Sequence, residues 1–234
     1  MKTGHELPWN DEHNWSIFRK THEYVKEEFN FTNDFIGMNK KNLDKLLYRH
    51  WYVAYCAKHA LEFAETNEYN FVECGTANGV TAYYALKEIS NKLEKSKFKM
   101  HLYDSWDAMR EKELLETEIN HVGNYSELDI NIAKNNLEEF NENLIYHVGY
   151  IPKSLDIEKS PKTIVYMHID LNSAKPTLSA LEFFFPKVVK GGIILFDDYG
   201  QEEYRDTKKI VDEFFSDKSG LLLKLPTSQA IYFR

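Results

Sequence analysis

Apolar and polar positions alternate in two rhythms along most of this chain. Short apolar runs typical of strands occur at 70–75, 99–104, 143–148, 163–170, 192–197, 220–225 and 229–233. Between these runs, apolar residues at helical spacing predict helices over 79–93, 125–140, 174–188 and 202–216, and a further long helix over 41–66. Strands that alternate with helices favour a mostly parallel sheet that is covered on both faces.

The last two apolar runs have a different connection. Only Pro226, Thr227 and Ser228 separate them, and parallel strands need a much longer crossover, so this pair is expected to be antiparallel. The predicted fold is therefore a doubly wound α/β domain. It has a seven-stranded, mostly parallel sheet with a C-terminal antiparallel strand pair.

Residues 1–45 lie outside the alternating pattern. They are polar with scattered aromatics, and Trp15, Phe18 and His22 occur at helical spacing. We expect an N-terminal helical extension over 1–45 and a main domain over 46–234. The extension either covers the site as a lid or builds an oligomer contact, or it is a helix packed on the edge of the core.

Composition narrows the class of protein. The 234 residues are 43% hydrophobic and 15% aromatic, which is enough for a sizeable core. A net charge of −8 without a basic stripe disfavours nucleic-acid binding. Two cysteines are too few for a disulfide framework, and the chain contains neither an apolar leader nor a run of about 18 apolar residues. A cytoplasmic protein that does not span a membrane is expected.

The first strand of the alternating region ends in a glycine-containing turn. Glu73 precedes Gly75 and Gly79, and the spacing G-x-x-x-G differs from the dinucleotide fingerprint G-x-G-x-x-G. A pyrophosphate ligand is therefore not implied, whereas an acid beside the glycines suits a cationic, zwitterionic ligand. Asn78 or Thr81 helps the next helix to begin. The alternative is an ordinary strand–helix turn.

The second strand ends in an acid, Asp104. At the carboxyl end of a strand in an open α/β sheet, this carboxylate is well placed to accept the hydroxyls of a ribose. Ser105 and Trp106 would then flank an adenine. The alternative is that Asp104 caps a helix, and both roles are compatible.

Two further strands end in carboxylates. Tyr166, His168 and Asp170 share one strand face, and Asp197 and Asp198 follow the next strand. If the strands are neighbours, three carboxylates converge, and a divalent cation such as Mg²⁺ or Ca²⁺ would relieve their repulsion. The cation would bind an acceptor hydroxyl and lower its pKa. The alternative is that these acids cap the following helices.

These motifs carry a resemblance to the macrocin O-methyltransferase family, over about residues 36–233. The segments are 72–79, 102–106, 168–170, 186–192 leading into 196–200, and 211–215. The resemblance implies a class I methyltransferase fold, which is Rossmann-like, and binding of S-adenosylmethionine and of Mg²⁺ or another divalent cation. By resemblance, Glu73, Gly75 and Gly79 would line the amino-acid part of the donor, and Asp104 would hold the ribose. The donor-binding candidates also include Thr76 and Asn78 in the same turn, and Ser105 and Trp106 after the second strand. Those implied in metal binding are Asp170, Asp197 and Asp198. More weakly, the resemblance suggests that Met38 and Asn39 close over the donor.

The chain departs from the family at one position. The family commonly has Asp-x-Asp where this chain has Asp170-Leu171-Asn172, and the second Asp is the suggested general base. An amide can orient a hydroxyl but cannot take its proton. The catalytic candidates are therefore Asn172 for orientation, with His168 or a ligating carboxylate such as Asp198 to accept the proton. The ending 225–229 is typical of a sub-branch of the family.

The predicted function is O-methylation of a sugar, glycan or related natural product, by a protein that is expected to form a homo-oligomer. One alternative is a donor-binding protein of the same fold with weak or no catalysis, as Asn172 suggests. Another is a nicotinamide-dependent oxidoreductase, against which the missing fingerprint and the antiparallel pair both count. The sequence does not name the acceptor.

Overall fold

A computed structural model of the protein describes residues 7–10, 12–32 and 39–234. Two helices precede the sheet, α1 (Glu12–Glu28) and α2 (Leu47–Phe63). The strands are β1 (Tyr69–Cys74), β2 (Phe98–Asp104), β3 (Leu144–Val148), β4 (Ile164–Ile169), β5 (Val188–Phe196), β6 (Leu221–Lys224) and β7 (Ala230–Phe233). The remaining helices are α3 (Val80–Lys92), α4 (Ile130–Asn136), α5 (Ala174–Phe184) and α6 (Arg205–Phe215).

The described residues form a seven-stranded sheet in the order β3-β2-β1-β4-β5-β7-β6. Strands β1 to β5 are parallel, and β7 is antiparallel to both of its neighbours, β5 and β6. The predicted doubly wound fold with an antiparallel C-terminal pair is therefore confirmed. The chain leaves β1 toward β2 on one side and returns to β4 on the other, so the strand order reverses beside β1.

Helices cover both faces of the sheet. Phe71, Tyr166 and Leu195 point toward α1, α2 and α3 in one core, whereas Val72 and Ile194 belong to the core beneath α5 and α6. Successive residues of a strand point to opposite faces. Burial on both faces explains why the central strands are nearly continuous apolar runs.

The helix boundaries differ from the pattern-based prediction in three places. The predicted helix over 41–66 begins with a separate 3₁₀ turn at Leu43–Leu46, and the one over 125–140 shrinks to α4. The one over 174–188 ends early because Pro186 lacks an amide hydrogen and restricts the residue before it. A 3₁₀ turn at Phe185–Lys187 follows, and β5 begins four residues before the predicted strand at 192.

Helix α1 packs on the edge of the core. The rings of Phe18 and Tyr84 are 5.3 Å apart, and the Tyr84 hydroxyl lies 2.7 Å from His22 Nδ1. This is the arrangement expected of a packed helix, while the roles of the extension as a lid or an oligomer contact stay predictions. Residues 1–6, 11 and 33–38 lie outside the described residues, so the predicted boundary at 45 stays untested. Within the described ranges, no helix is both long and apolar enough to cross a membrane.

Candidate active site at the carboxyl edge of the sheet

The ends of three neighbouring strands form the floor of a cavity of about 580 Å³. Main-chain amides continue the ladder past each strand: Gly75 N–H donates to Tyr103, Asp170 N–H to Cys74 and Asp197 N–H to Ile169, at 2.8–2.9 Å. The residues after β1, β4 and β5 therefore meet at one edge of the sheet. The cavity volume is typical of a site for a small molecule.

The turn after β1 passes close to the end of β4. Gly75 has a φ of +90°, and a Cβ on it would lie 1.8 Å from the carbonyl oxygen of Asp170, so only glycine fits. Thr76 and Asn78 line the cavity. Their Oγ1 and Oδ1 atoms are buried and have no hydrogen-bond partner among the described residues.

Asp104 organises the loop beside this turn. Its Oδ2 accepts the Ala77 amide and its Oδ1 accepts the Trp106 amide, both at 2.8 Å. Burial raises the pKa of Asp104, and these main-chain donors oppose that rise. Each oxygen retains a lone pair, and both Asp104 and Ser105 line the cavity, so the carboxylate can still accept ligand hydroxyls.

Asp170, Asp197 and Asp198 converge at the opposite side of the cavity floor, as the strand pattern predicts. Burial, Asp197 and Asp198 together raise the pKa of Asp170 well above its ordinary value. Burial and Asp197 raise the pKa of Asp198 to about 7. Burial also favours the neutral form of Asp197, but Arg49 and His168 outweigh it and lower its pKa. Asp197 therefore keeps its negative charge.

Asp197 is held from two distant parts of the chain. Arg49, on α2, donates to its Oδ2 and, at 3.0 Å, to its main-chain oxygen. Arg49 also donates to the carbonyl oxygen of Thr227 at 2.9 Å. Gln229, which closes the sub-branch ending noted above, donates to Asp197 Oδ1 at 2.7 Å. Arg49 was missed by the sequence analysis because no motif surrounds it.

Asn172, the departure from the family pattern, connects the other two acids. Its main-chain amide donates to Asp198 Oδ2 at 2.9 Å, and its side-chain amide donates to Asp170 Oδ1 at 3.3 Å. It has a φ of +53°, a left-handed conformation that asparagine tolerates better than most residues. Asn172 therefore orients carboxylates, and its predicted contact with an acceptor hydroxyl stays a prediction.

Four predicted site residues lie behind the cavity wall instead of facing it. Glu73 and His168 are fully buried, with Glu73 Oε2 3.2 Å from His168 Nδ1. The Trp106 indole turns inward and donates to the Ala77 carbonyl oxygen at 2.9 Å, and a Cβ on Gly79 would meet the side chain of Leu137. None of the four residues lines the cavity in this structure, and their predicted contacts with donor or acceptor stay predictions.

The electrostatics of His168 follow from its position. Burial alone would lower its pKa, but the carboxylates of Asp197 and Glu73 on either side raise it to about 10. The imidazole thus carries a positive charge beneath the acids in the absence of a metal. This arrangement does not favour His168 as the group that takes a proton from an acceptor.

A divalent cation fits this donor set. Among the described residues, His168, Asp170 and Asp197 form a group whose potential ligand atoms all lie within 4.8 Å of one another. Carboxylate oxygens suit Mg²⁺ and similar ions. Asp198, the third predicted ligand, turns one oxygen toward Asn172, and its role as a ligand stays a prediction.

A further part of the cavity lining was also missed by the sequence analysis. It consists of Lys45 and Leu46 from the segment before α2, Tyr125 from the loop after β2, and Gln201 and Tyr204 from the loop after β5. Gln201 and Tyr204 closely follow Asp197 and Asp198 in the chain, and this was the one feature of the sequence that could have indicated them as lining residues. Of the weaker candidates, Asn39 is described, whereas Met38 lies outside the described residues.

A family model described as a methyltransferase domain matches residues 72–199, more than half of the chain. No curated protein sequence matches this chain.

Several solved structures share the fold. The O-methyltransferase NovP is 15% identical, with a TM-score of 0.68 over 80% of each chain. The calicheamicin methyltransferase CalS11 is 12% identical, with a TM-score of 0.65 over 98% of this chain and 94% of its own. The SAH-bound methyltransferase PaMTH1 of Podospora anserina is 12% identical, with a TM-score of 0.57 over 98% of each chain. At these identities the structures show a common fold. Together with the family match, they show that this chain belongs to the S-adenosylmethionine-dependent methyltransferases.

Proposed function

We propose that the protein transfers the methyl group of S-adenosylmethionine to a hydroxyl oxygen of a sugar, glycan or related natural product. A divalent cation among the carboxylates that follow β4 and β5 would assist this transfer. The observation that carries the proposal is that one cavity joins the turn residues Thr76, Asn78 and Asp104 to Asp170, Asp197 and Asp198, which we call the acidic cluster.

The donor half is formed by the turns after β1, β2 and β3. Thr76 and Asn78 line the part of the cavity that would hold the amino-acid part of the donor, and Asp104 would offer its carboxylate to the ribose. A small adjoining cavity of about 80 Å³ shares Ser105 with the main one and reaches Ile151 after β3. Its largely apolar walls suit an adenine ring.

The acceptor half supports a hydroxyl as the methylated group. The transfer forms a carbon–oxygen bond as the sulfonium carbon–sulfur bond breaks, and it releases S-adenosylhomocysteine and one proton. A cation held by Asp170 and Asp197 would lower the pKa of a nearby hydroxyl. Asp198 also lines the cavity, and its carboxylate is our candidate to accept the released proton. Most of the rate would come from positioning donor and acceptor in line.

The acceptor class is supported by the lining and by the structural neighbours. Tyr125, Gln201 and Tyr204 combine ring faces with hydrogen-bonding groups, as the recognition of a sugar requires. CalS11 is described as a TDP-rhamnose 3'-O-methyltransferase. Around the acidic cluster, the basic lining residues are Lys45 and the paired Arg49, which favours a neutral polyhydroxylated acceptor.

Calorimetric titration with S-adenosylmethionine tests the donor half. The wild-type protein should bind one donor per chain, and Asp104→Ala should weaken binding by about tenfold or more, since hydrogen bonds to a charged group contribute about 1.5–3 kcal/mol. Glu94→Ala, which removes an exposed acid that does not line the cavity, is the control. Failure of the wild-type protein to bind the donor would overturn the proposal.

Transfer of a radiolabelled methyl group to a panel of free sugars and glycosides tests the acceptor half. Incorporation that is lost in Asp170→Asn supports the proposal. Donor binding without incorporation into any acceptor favours the alternative of a donor-binding protein that does not catalyse.

A further inference from the structure

His168 is a fully buried histidine directly beneath the acidic cluster. Its Nδ1 faces Glu73 Oε2 at 3.2 Å, whereas its Nε2 is buried with no hydrogen-bond partner in the described part of the chain. The nearest acid to Nε2 is Asp197, whose Oδ1 lies 3.8 Å away. That separation is too long for a hydrogen bond, so a polar atom points into the cluster without an assigned function.

The separation suits two donors on one metal ion. Nitrogen and oxygen ligands lie about 2.0–2.2 Å from a bound ion such as Zn²⁺ or Mg²⁺, so neighbouring ligands are roughly 3–4 Å apart. The ligand atoms of His168, Asp170 and Asp197 all lie within 4.8 Å of one another. Small movements of these three side chains would place all three atoms at ligand distance from a single ion.

Glu73 is placed to prepare the imidazole for this role. Glu73 and His168 are register partners on the adjacent strands β1 and β4, so the sheet fixes their pairing. Ligating histidines commonly donate the other ring N–H to a carboxylate, which fixes the tautomer and the ring orientation. When a metal ion displaces the second ring proton, the proton that stays on Nδ1 against Glu73 leaves the lone pair of Nε2 directed at the acids.

Asp197 is also oriented toward His168. Arg49 engages its Oδ2, which leaves Oδ1 facing the histidine. Gln229 donates to the same Oδ1 at 2.7 Å, but a carboxylate oxygen has a second lone pair to offer a metal. Asp198 instead directs its Oδ2 to the Asn172 amide, away from this arrangement.

We propose that the cation site consists of Nε2 of His168 with the carboxylates of Asp170 and Asp197, and that Glu73 orients the imidazole. Asp198, the ligand that the sequence motif suggests, lies outside this set. A mixed nitrogen and oxygen donor set favours Mn²⁺, Fe²⁺, Co²⁺ or Zn²⁺ over Mg²⁺. This inference rests on the proposed function for the catalytic use of the ion, while its test is independent of catalysis.

Electron paramagnetic resonance of the full-length protein loaded with Mn²⁺ tests the inference. A titration counts the bound ions, and electron spin-echo modulation detects nitrogen coordinated to Mn²⁺. The wild-type protein should bind one Mn²⁺ with a nitrogen signal. His168→Gln should lose that signal, and Glu73→Gln should weaken Mn²⁺ binding by about 10–100-fold, the usual effect of removing such a partner. Asp198→Asn is the matched control and should retain both the ion and the signal.

Labelling the wild-type protein with ¹⁵N-histidine keeps the test valid if His168→Gln does not fold. If the coordinated nitrogen belongs to an imidazole, the label must change the modulation frequency of the nitrogen signal. Mn²⁺ bound without a nitrogen signal, loss of Mn²⁺ in Asp198→Asn but not in His168→Gln, or failure to bind Mn²⁺ would each overturn the inference. Donor binding measured without metal separates these outcomes from a failure of the proposed function.

Discussion

Arg49 and Asp197 are 148 residues apart in the chain, yet the Arg49 guanidinium donates to both the carboxylate and the main-chain oxygen of Asp197. Their side chains are only 16% and 14% exposed. The pair connects α2 to the end of β5, and the bond from Arg49 to Thr227 adds the connection before β7. One side chain thus holds together three segments around the acidic cluster.

Removing Arg49 should destabilise the fold. Arg49→Gln removes the guanidinium that pairs with the Asp197 carboxylate, and loss of one partner of a buried ion pair typically costs about 3–5 kcal/mol. Arg49→Lys should lie between it and the wild type, because it keeps the charge but loses the forked donors. Urea unfolding in the absence of divalent cations measures the effect. Lys45→Gln removes an exposed charge from the same cavity wall and should change stability by about 0.5 kcal/mol or less. Equal effects of Arg49→Gln and Lys45→Gln would contradict the importance of the ion pair.

Gly75 and Gly123 offer a matched test of the turn after β1. Both have a positive φ, +90° and +87°, but a Cβ on Gly75 would lie 1.8 Å from the Asp170 carbonyl oxygen, whereas a Cβ on Gly123 would meet no described atom within 4 Å. Gly123→Ala should cost about 1–2 kcal/mol for the left-handed backbone alone. Gly75→Ala should cost at least about 3 kcal/mol more and weaken donor binding. Thermal unfolding compares the two, and similar melting temperatures would show that the close approach is unimportant.

Glu118 anchors the loop after β2 to the start of α5. Its carboxylate accepts the amides of Leu115 and Ala174 at 3.0 and 2.8 Å and the Ser173 hydroxyl at 2.8 Å. Glu118→Ala leaves these donors unpaired and should cost about 2–4 kcal/mol. Hydrogen exchange should also show reduced protection of the Ala174 amide. The exposed Glu116→Ala, in the same turn, is the control, and unchanged protection of Ala174 in Glu118→Ala would refute the anchor.

Glu88 should make stability fall as pH rises. Burial on α3, only partly offset by Lys58 and Lys92, raises its pKa from an ordinary 4.5 to about 7. Between these two values the folded state retains a proton that the unfolded state has lost, so the free energy of unfolding decreases with pH. The loss totals about 3 kcal/mol and is complete above the folded pKa.

Glu88→Gln removes this dependence. The variant should be more stable than the wild type at pH 8, and the advantage should disappear near pH 4.5. Chemical unfolding at several pH values measures it, with the exposed Glu62→Gln as control. If the wild type and Glu88→Gln differ in stability by the same amount at pH 4.5 and at pH 8, the titration of Glu88 is ruled out.

The alternation of apolar runs and helical segments was enough to determine the order and type of the main elements, and the length of the last connection determined the antiparallel pair. Strand ends in an open parallel sheet share one edge, so Gly75, Asp104, Asp170 and Asp197 could be placed together from the chain alone. These inferences succeed because backbone geometry and connection rules are local properties of the sequence.

Only the tertiary structure decided which side chains face the cavity and which support it from behind. Glu73 and His168 meet through strand register, and Arg49 and Gln229 reach Asp197 across 148 and 32 residues. No spacing rule encodes such contacts, because they depend on how helices and turns pack against the finished sheet. The sequence therefore determined where the acids lie, whereas packing selected their partners and hence the charge and orientation of each.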